Sequence, residues 1–406
     1  MNLDTHEPVE NRPLHEKSMP NTAFPSFEKY LKGDPYIWGI IITLALMSIL
    51  VVYSATGTLA YQKMDGNTRH YLFKHTVTVL LALLAVWICH RIDYRYFSRL
   101  SRLALLASVP LLLGAWKFGV NVNEASRWIT VPLIGGTFQP SDLAKLALIT
   151  SIASMLSRRQ DSVNDFQETV FPILLWTGII CTLIGLSDIS SAVLLFITSM
   201  LLLFIGRVPV SQLLLLVLVG FISLMVAIFA GQRGDTFNSR LEKFFDETET
   251  EFQAQQSYIA IATGGFTGKL PGNSDQRNFL PNPFSDFIYA IIIEEYGLLG
   301  GLAVLGLYLL LIYRGIVVIA GSSRAYGGIL SAGLTFSIGL QALLNMAVAV
   351  GLVPITGVPL PFLSMGGTSL LFTGIALGII LSVSRGDIDK DLDELASRPA
   401  NRSRGE

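Results

Sequence analysis

Charged residues are scarce in this chain of 406 residues: Asp, Glu, Lys and Arg make up 15% of it, whereas apolar residues make up 51%. An average soluble domain carries about 25% charged residues. This scarcity, together with a mean hydropathy of +0.54, excludes an ordinary water-soluble protein and indicates a polytopic membrane protein. The 29 basic and 30 acidic residues give a net charge near zero, which by itself indicates no class of partner; no nucleic-acid partner is expected.

Cysteine is almost absent, and the motifs of several common functions are missing. Cys89 and Cys181 both fall in apolar runs, so no structural disulfide is expected. The sequence contains no GxxxxGK[ST] loop, dinucleotide fingerprint, zinc-ligand spacing, heptad pattern or internal repeat. These absences leave no support for the usual nucleotide-binding and zinc-binding classes.

What the chain does have is long apolar runs. They are continuous rather than alternating, which excludes a transmembrane barrel. The fold that they predict is an all-α polytopic membrane protein with about ten transmembrane helices, each long enough to cross about 30 Å of hydrocarbon. The predicted spans cover residues 36–57, 72–90, 101–118, 141–157, 169–186, 190–206, 209–230, 286–313, 325–350 and 368–384.

Arginines predict the orientation of these spans. They cluster in the short loops after spans two, four, six and eight, and the positive-inside rule assigns such loops to the cytoplasm. Both termini are then cytoplasmic. Residues 1–35 are polar, so they are expected to form a disordered cytoplasmic tail, and they carry no cleaved-signal pattern. Residues 386–406 are expected to form a second cytoplasmic tail. The arginines are Arg91, Arg95, Arg99, Arg102, Arg158, Arg159, Arg207, Arg314 and Arg324.

Two segments on the outer side are long enough to build a site: residues 119–140, and residues 231–285 between spans seven and eight. Structureless loops longer than about 15 residues are uncommon unless they are functional or disordered. Within the second segment, residues 255–265 predict a short amphipathic helix that ends at a glycine pair, with an interfacial helix without chemistry as the alternative. Arg240 could donate a bidentate fork to a phosphate.

Residues 139–145 predict the start of a membrane helix at Pro140, with Ser141 or Asp142 capping its free N–H groups. Lys145 lies three residues after Asp142, on the same helix face. Two interpretations stay open: the two charges pair and fasten the helix, or Lys145 faces an interior cavity and holds an anionic diphosphate. Upstream, Arg127 is either an interfacial anchor beside a tryptophan or a contact to a lipid headgroup.

Asp286 stands where the long polar segment re-enters an apolar run. A carboxylate at a membrane boundary costs several kcal/mol if it is removed from water, so a compensating role in catalysis or ion handling is expected. Glu294 and Glu295 follow within about three helical turns. From the residues alone, Asp286 could instead cap the first turn of span eight, with Ser285 before it.

Five segments together resemble the FtsW/RodA family of shape, elongation, division and sporulation (SEDS) proteins. Residues 123–128 are similar to the family motif Asn-Gly-Ala-x-Arg-Trp, and residues 139–145 to Gln-Pro-Ser-Glu-x-x-Lys. Residues 256–265 are similar to Gln-Ser-x-x-Ala-x-x-x-Gly-Gly, and residues 285–297 to Thr-Asp-Phe-Ile-Phe-Ala-x-x-x-Glu-Glu-x-Gly. Residues 359–369 resemble the Leu-Pro-Phe-x-Ser-x-Gly-Gly-Ser signature. The resemblance covers roughly residues 36–385, which are identified as a SEDS-type transmembrane glycosyltransferase domain.

This resemblance implies a glycosyltransferase that polymerises lipid II, a disaccharide-peptide on undecaprenyl diphosphate, at the outer face of the cytoplasmic membrane. Asp286 would be its general base. Asp142, Asp188, Glu294 and Glu295 would support the site. A divalent cation, Mg²⁺ or Mn²⁺, could assist, with no ligands assigned. Substrate would be contacted by Lys145, Arg240, Arg127, Gln256, Ser257, Lys269, Ser364, Gly366, Gly367, Thr368 and Ser369.

The segment from Ser364 to Ser369 has two interpretations: its backbone N–H groups bind anionic oxygen, or it is a tight turn before span ten.

The chain lacks a Ser-x-x-Lys transpeptidase motif in a soluble domain, so a class B penicillin-binding protein is the expected partner, along with other divisome membrane proteins. The two polar tails favour a septal role over the elongation role of the same family.

The chain also departs from the family pattern. Asn282 and Phe284 replace a family Glu and His, so no role of those two side chains is transferred.

Two other function classes stay open. A flippase for the same lipid would also need ionisable groups within the bundle, and a scaffold would only dock a transpeptidase. Product formation from lipid II discriminates a polymerase from both.

Overall fold

The computed structural model describes most of the chain. The residues described are 31–57, 68–122, 125–131, 136–160, 165–231, 234–245, 251–280 and 282–397. The predicted tail 1–35 therefore lies almost entirely outside the described residues.

The described residues form twelve α-helices and three short strands. In chain order these are α1 (Pro35–Ala55), α2 (Thr68–Arg91), α3 (Arg95–Phe118), β1 (Val120–Val122), β2 (Ala125–Val131), β3 (Gly136–Phe138), α4 (Pro140–Arg158), α5 (Phe171–Gly185), α6 (Ile189–Ile205), α7 (Val210–Ala230), α8 (Gly234–Phe245), α9 (Phe252–Gly264), α10 (Ile288–Gly321), α11 (Ala325–Ala349) and α12 (Thr368–Ser397). A π-helical turn (Phe166–Val170) leads into α5, and a 3-10 turn (Gln276–Asn278) precedes α10.

The helical membrane architecture that the apolar runs predict is confirmed. Within the described residues, eight helices are long and apolar enough to cross a membrane. The other two predicted spans are also helical, but α6 has only 17 residues, and the 19-residue α4 carries Asp142, Lys145 and Arg158. The total of ten crossings therefore stays a prediction. α12 continues to Ser397, beyond the predicted end of span ten.

The outer segment 119–140 differs from the all-α prediction. It folds into an antiparallel sheet of order β1-β2-β3, in which Ile129 pairs with Phe138 and Thr130 with Thr137. The β-branched run Ile129-Thr130-Val131 suits a pleated strand. The sequence does not predict this sheet, because β1 and β3 have only three residues each and are too short to show a period of two.

The segment 231–285 contains α8 and α9. The short helix predicted at residues 255–265 is confirmed as α9, which ends at Gly264, with Gly265 at φ 58° after it. Such a positive φ favours glycine. The described parts of this segment thus include two helices, and α9 packs on the helix that follows Asp286.

The two ends of the bundle carry different chemistry. At one end, which we call the sheet end, Gln139 N donates to Thr368 Oγ1 (3.2 Å), and Arg240 Nη1 donates to Ile355 O (3.2 Å). At the other, the arginine end, Arg158 Nη2 donates to Ser98 Oγ (3.1 Å), and Arg385 Nη1 donates to the carbonyl of Arg91 (2.9 Å). The predicted cytoplasmic arginines and the predicted outer segments thus lie at opposite ends.

α10 is broken at Gly297, where the backbone adopts φ 70° and ψ −172°. The following N–H groups of Leu298 and Leu299 donate to the carbonyls of Gly265 and Phe266, at 3.0 and 3.4 Å. A Cβ on Gly297 would lie 2.3 Å from the Phe266 carbonyl oxygen. The single predicted span 286–313 is therefore two helical pieces, and the shorter one carries Glu294 and Glu295.

Candidate active site

Asp286 lies in the turn immediately before α10. Its side chain is half-buried, and Ser285 Oγ donates to its Oδ1 (2.9 Å). The helix begins one residue later than a cap at Asp286 would require: its N-cap is Phe287, which makes no side-chain capping bond. The capping interpretation of Asp286 is therefore wrong, and its carboxylate is left available for another purpose.

A segment between α11 and α12, residues 355–365, lies against this turn, and we call it the strap. Ser364 Oγ donates to the carbonyl of Ser285 (2.6 Å), and Met365 N donates to the carbonyl of Phe284 (2.9 Å). Gly357 of the strap has φ +68°, and a Cβ there would lie 3.7 Å from Asp286 Oδ2. The strap backbone at Gly357 therefore lies close to the Asp286 carboxylate.

The electrostatic environment suits a base. Burial raises the pKa of Asp286 above its ordinary value, and the charge of Asp188 raises it further, while the Ser285 hydrogen bond and the charges of Arg127 and Arg240 lower it. The net direction is upward. A carboxylate with a raised pKa accepts a proton more readily at neutral pH.

A chain of charged and polar groups links β2, α6 and α4 at the sheet end. Arg127 Nη1 pairs with Asp188 Oδ2 (2.9 Å), and Ser191 Oγ donates to the same oxygen (3.0 Å). Lys145 Nζ lies 3.3 Å from Ser191 Oγ and 3.4 Å from Asp142 Oδ1. Arg127 therefore points inward rather than anchoring the protein at an interface, and the Asp142–Lys145 pair exists.

The capping prediction for α4 is wrong, although its predicted start at Pro140 is confirmed. The N-cap is Gln139, without a side-chain capping bond. Asp142 instead turns toward Lys145, and its Oδ2 is buried without a partner among the described groups. Pro140 at the first helical position needs no cap for its own nitrogen, because proline has no N–H.

The two adjacent glutamates of α10 accept hydrogen bonds from the outer segment and from α1. Glu294 accepts from Lys269 Nζ (2.9 Å), Ser274 Oγ (2.5 Å) and the backbone N–H of Asp275 (3.0 Å). Glu295 accepts from Ser54 Oγ of α1. Lys269 also pairs with Asp275 (2.8 Å). These contacts give Glu294 and Glu295 a supporting position, and they engage Lys269 with two carboxylates.

The remaining predicted residues lie at the same end of the bundle. Ser257 Oγ of α9 donates to the carbonyl of Ala349 (2.9 Å), and Gln256 beside it is half-buried. Thr368 begins α12, after Gly367 at φ +53°, where a Cβ would meet open space. Ser369 N donates to the carbonyl of Gly366 (3.0 Å), so this stretch forms a turn that opens α12.

Three comparisons bear on identity. The family model described as "Cell cycle protein", covering FtsW, RodA and SpoVE, matches residues 35–388. The chain belongs to this family. It is 32% identical over 356 residues to a probable peptidoglycan glycosyltransferase FtsW of Geobacter sp. (strain M18), covering 86% of this chain and 96% of the relative. It is also 32% identical to the stage V sporulation protein E of Bacillus subtilis (strain 168), covering 87% and 98%.

Solved structures of the FtsW/RodA family share this fold. A chain from a structure described as "Structural coordination of polymerization and crosslinking by a peptidoglycan synthase complex" aligns with a TM-score of 0.68 at 24% identity, covering 88% of this chain and 99% of that one. The rod shape determining protein RodA of Thermus thermophilus aligns with a TM-score of 0.64 at 22% identity, over 88% and 99%. This chain is thus an integral membrane protein of the same architecture.

The two residues that depart from the family pattern, Asn282 and Phe284, accept hydrogen bonds through their backbone carbonyls. Asn282 contributes its carbonyl to the N–H of Ser285 (3.1 Å), and Phe284 contributes its carbonyl to Met365 N (2.9 Å). The Phe284 ring packs on a small apolar cluster that includes Phe287 and Leu280. Both residues therefore shape the turn that carries Asp286.

Sequence reasoning missed Asn345, a buried residue of α11. Its Nδ2 donates to the carbonyls of Asp286 (2.9 Å) and Val358 (2.8 Å). The available signal is an amide side chain in an apolar helix, which is costly to bury unless it is hydrogen-bonded. As for a metal, the described residues hold no cluster of three or more His, Cys, Asp or Glu side chains. Mg²⁺ commonly uses one or two carboxylates plus substrate phosphates, so the divalent cation stays a prediction.

Proposed function

We propose that this chain is a peptidoglycan glycosyltransferase that extends glycan strands from lipid II. The proposal is supported by membership in the FtsW/RodA family and by relatives named probable peptidoglycan glycosyltransferase. The observation that carries it within this chain is Asp286, a half-buried carboxylate beside the strap, with arginine charges acting on it.

In the proposed reaction, the 4-hydroxyl oxygen of the acceptor sugar attacks the anomeric carbon of the donor. The bond from that carbon to the diphosphate breaks, and the diphosphate leaves with the bonding electrons. Asp286 takes the hydroxyl proton, a form of assistance typically worth about 10² to 10⁴ in rate. The product is a glycan one disaccharide longer, a free lipid diphosphate and a protonated Asp286.

Cationic side chains are proposed to stabilise the leaving diphosphate. Lys145, Arg127 and Arg240 are the candidates, because each supplies a positive charge at the sheet end. Oriented charges in a site shielded from water stabilise a developing negative charge strongly. A divalent cation bound with the diphosphate would supply further charge neutralisation.

Asp286→Asn tests this proposal, because asparagine keeps the shape but cannot take the proton. We expect purified Asp286→Asn protein, given lipid II in detergent together with its transpeptidase partner, to lose at least about 10²-fold in polymerisation rate. Asp93→Asn is the matched control. Asp93 forms an exposed pair with Arg95 at the arginine end, so its loss should leave the rate unchanged. Polymerisation by Asp286→Asn at the wild-type rate would remove the proposed base, and a wild-type protein that moves lipid II without polymerising it would point to a flippase.

We further propose a septal role, with a class B penicillin-binding protein and other divisome membrane proteins as partners and both termini in the cytoplasm. The names of the FtsW relatives support the septal role, and the arginine end supports the orientation. Depletion of the protein should then give long filaments with blocked septa. Rounded cells would instead assign the chain to elongation.

A further inference from the structure

The strap beside Asp286 is held by side chains from several helices. Asn345 of α11 donates to the carbonyl of Val358 (2.8 Å), and Gln341 of the same helix donates to the carbonyl of Pro359 (3.0 Å). Ser48 Oγ of α1 donates to the carbonyl of Leu363 (2.8 Å). Tyr308 of α10 donates to the carbonyl of Pro361. Four backbone carbonyls of this irregular segment therefore accept hydrogen bonds from side chains of neighbouring helices. These bonds fix the strap and satisfy carbonyl groups that would be costly to bury unpaired.

Asn345 differs from the other donors because it also contacts the turn that carries the candidate base. Its two amide hydrogens go to two carbonyls, Asp286 O at 2.9 Å and Val358 O at 2.8 Å. Both acceptors are carbonyls, so the amide nitrogen must face them. The side chain is only 1% exposed. One buried amide therefore ties Asp286 directly to the strap.

This bond supplements the side-chain contact of Asp286 in a specific way. Ser285 Oγ contacts the carboxylate itself, but a hydroxyl on the adjacent residue moves together with the turn. Asn345 stands on a separate long helix, so it can fix the turn relative to the bundle. Functional groups need support from rigid elements to hold productive geometry.

We propose that Asn345 is a positioning residue for Asp286, which holds the backbone of the turn so that the carboxylate faces the acceptor hydroxyl. This inference rests on the proposed function. In the proposed role, Asn345 does not itself contact substrate. It acts only through the Asp286 carbonyl and the strap.

Asn345→Ala tests the inference. We expect kcat to fall about 10²-fold with little change in KM for lipid II, since a displacement of about 1 Å can cost that much in rate. Gln341→Ala is the matched control: it removes a bond from the same helix to the same strap, at Pro359, without touching the turn. Its kcat should stay within about threefold of wild type, a difference below about 1 kcal/mol.

A pH profile separates positioning from a merely structural effect. Burial raises the pKa of Asp286, so a turn released toward water should have a lower pKa. The acidic limb of the kcat profile is therefore expected to move to lower pH in Asn345→Ala and to stay in place in Gln341→Ala. If the alanine protein is not recovered from membranes, Asn345→Ser, which keeps one donor, should show an intermediate kcat.

The outcomes are distinguishable from a failure of the proposed function. If Asp286→Asn is inactive but the Asn345 variants keep the wild-type kcat and pH profile, the positioning role is wrong and the base stands. Equal losses in Asn345→Ala and Gln341→Ala would also overturn it, because the strap as a whole would then be responsible. If Asp286→Asn polymerises normally, the function itself fails.

Discussion

At the scale of single residues, Asp286 illustrates a conflict between stability and function. Its folded-state pKa lies above its ordinary value because burial disfavours the charge. The folded state therefore binds the proton more tightly than the unfolded state does. By linkage, the stabilisation from this proton is fully present below the unfolded pKa and is lost as pH rises through the folded pKa. The ionised form that a base requires is thus the less stable one.

The pH dependence of polymerisation follows from the same shift. Wild-type activity should rise with pH as Asp286 ionises, with the midpoint above the ordinary aspartate value of about 3.9. Steady-state rates at fixed saturating lipid II, measured from acid to neutral pH, check this expectation. Asp93→Asn should keep the limb, and the residual activity of Asp286→Asn should lack it. A limb that persists unchanged in Asp286→Asn would assign the titration to another group, such as the substrate diphosphate.

The same residue scale shows what sequence patterns can and cannot supply. The adjacency of Asp142 and Lys145 follows from helical spacing, and their contact is confirmed at 3.4 Å. The Arg127–Asp188 ion pair joins residues 61 positions apart, and no local pattern encodes that contact. The same limit hid Asn345, whose partners at Asp286 and Val358 come together only through the packing of α11.

At the scale of secondary structure, hydropathy predicts helix existence better than helix shape. The apolar runs predict the helices of the bundle, but the break of α10 depends on one glycine. Gly297 lies against the backbone of Phe266 and Gly268, and those residues belong to a distant outer segment. To predict such a break, one must know which groups accept hydrogen bonds from the N–H groups that follow it. Here the acceptors of Leu298 and Leu299 lie in that outer segment.

Packing between α2 and α12 likewise depends on individual glycines and on what they face. A Cβ on Gly374 would lie 2.6 Å from the Ala82 carbonyl oxygen, and one on Gly378 would lie 2.7 Å from the Val86 carbonyl oxygen. Glycines spaced by four residues let helix backbones approach closely in membranes. This pair lies on the helix that follows the strap, so close packing of α12 also fixes the position at which the strap ends.

At the scale of the whole molecule, the two ends of the bundle carry different functional and structural groups. The sheet end gathers Asp286, the strap and the Arg127–Asp188 pair. The arginine end gathers ion pairs such as Arg314 with Asp34, which also caps α1. The proposed reaction requires the sheet end to face outward, because its glycan product is assembled outside the cytoplasm. Sidedness is therefore the property of the whole protein on which the proposed function depends.

Cysteine labelling tests that sidedness with little background, because Cys89 and Cys181 are both buried. Asn273 is exposed in the outer segment at the sheet end, and Gly321 is exposed at the end of α10 with open space around a Cβ. In intact spheroplasts, a membrane-impermeant maleimide should label Asn273→Cys fully and Gly321→Cys only after permeabilisation. The positive-inside rule and the arginines beside Gly321 give this expectation. The reverse pattern would place Asp286 on the cytoplasmic side, where a polymerase of extracellular glycan could not use it.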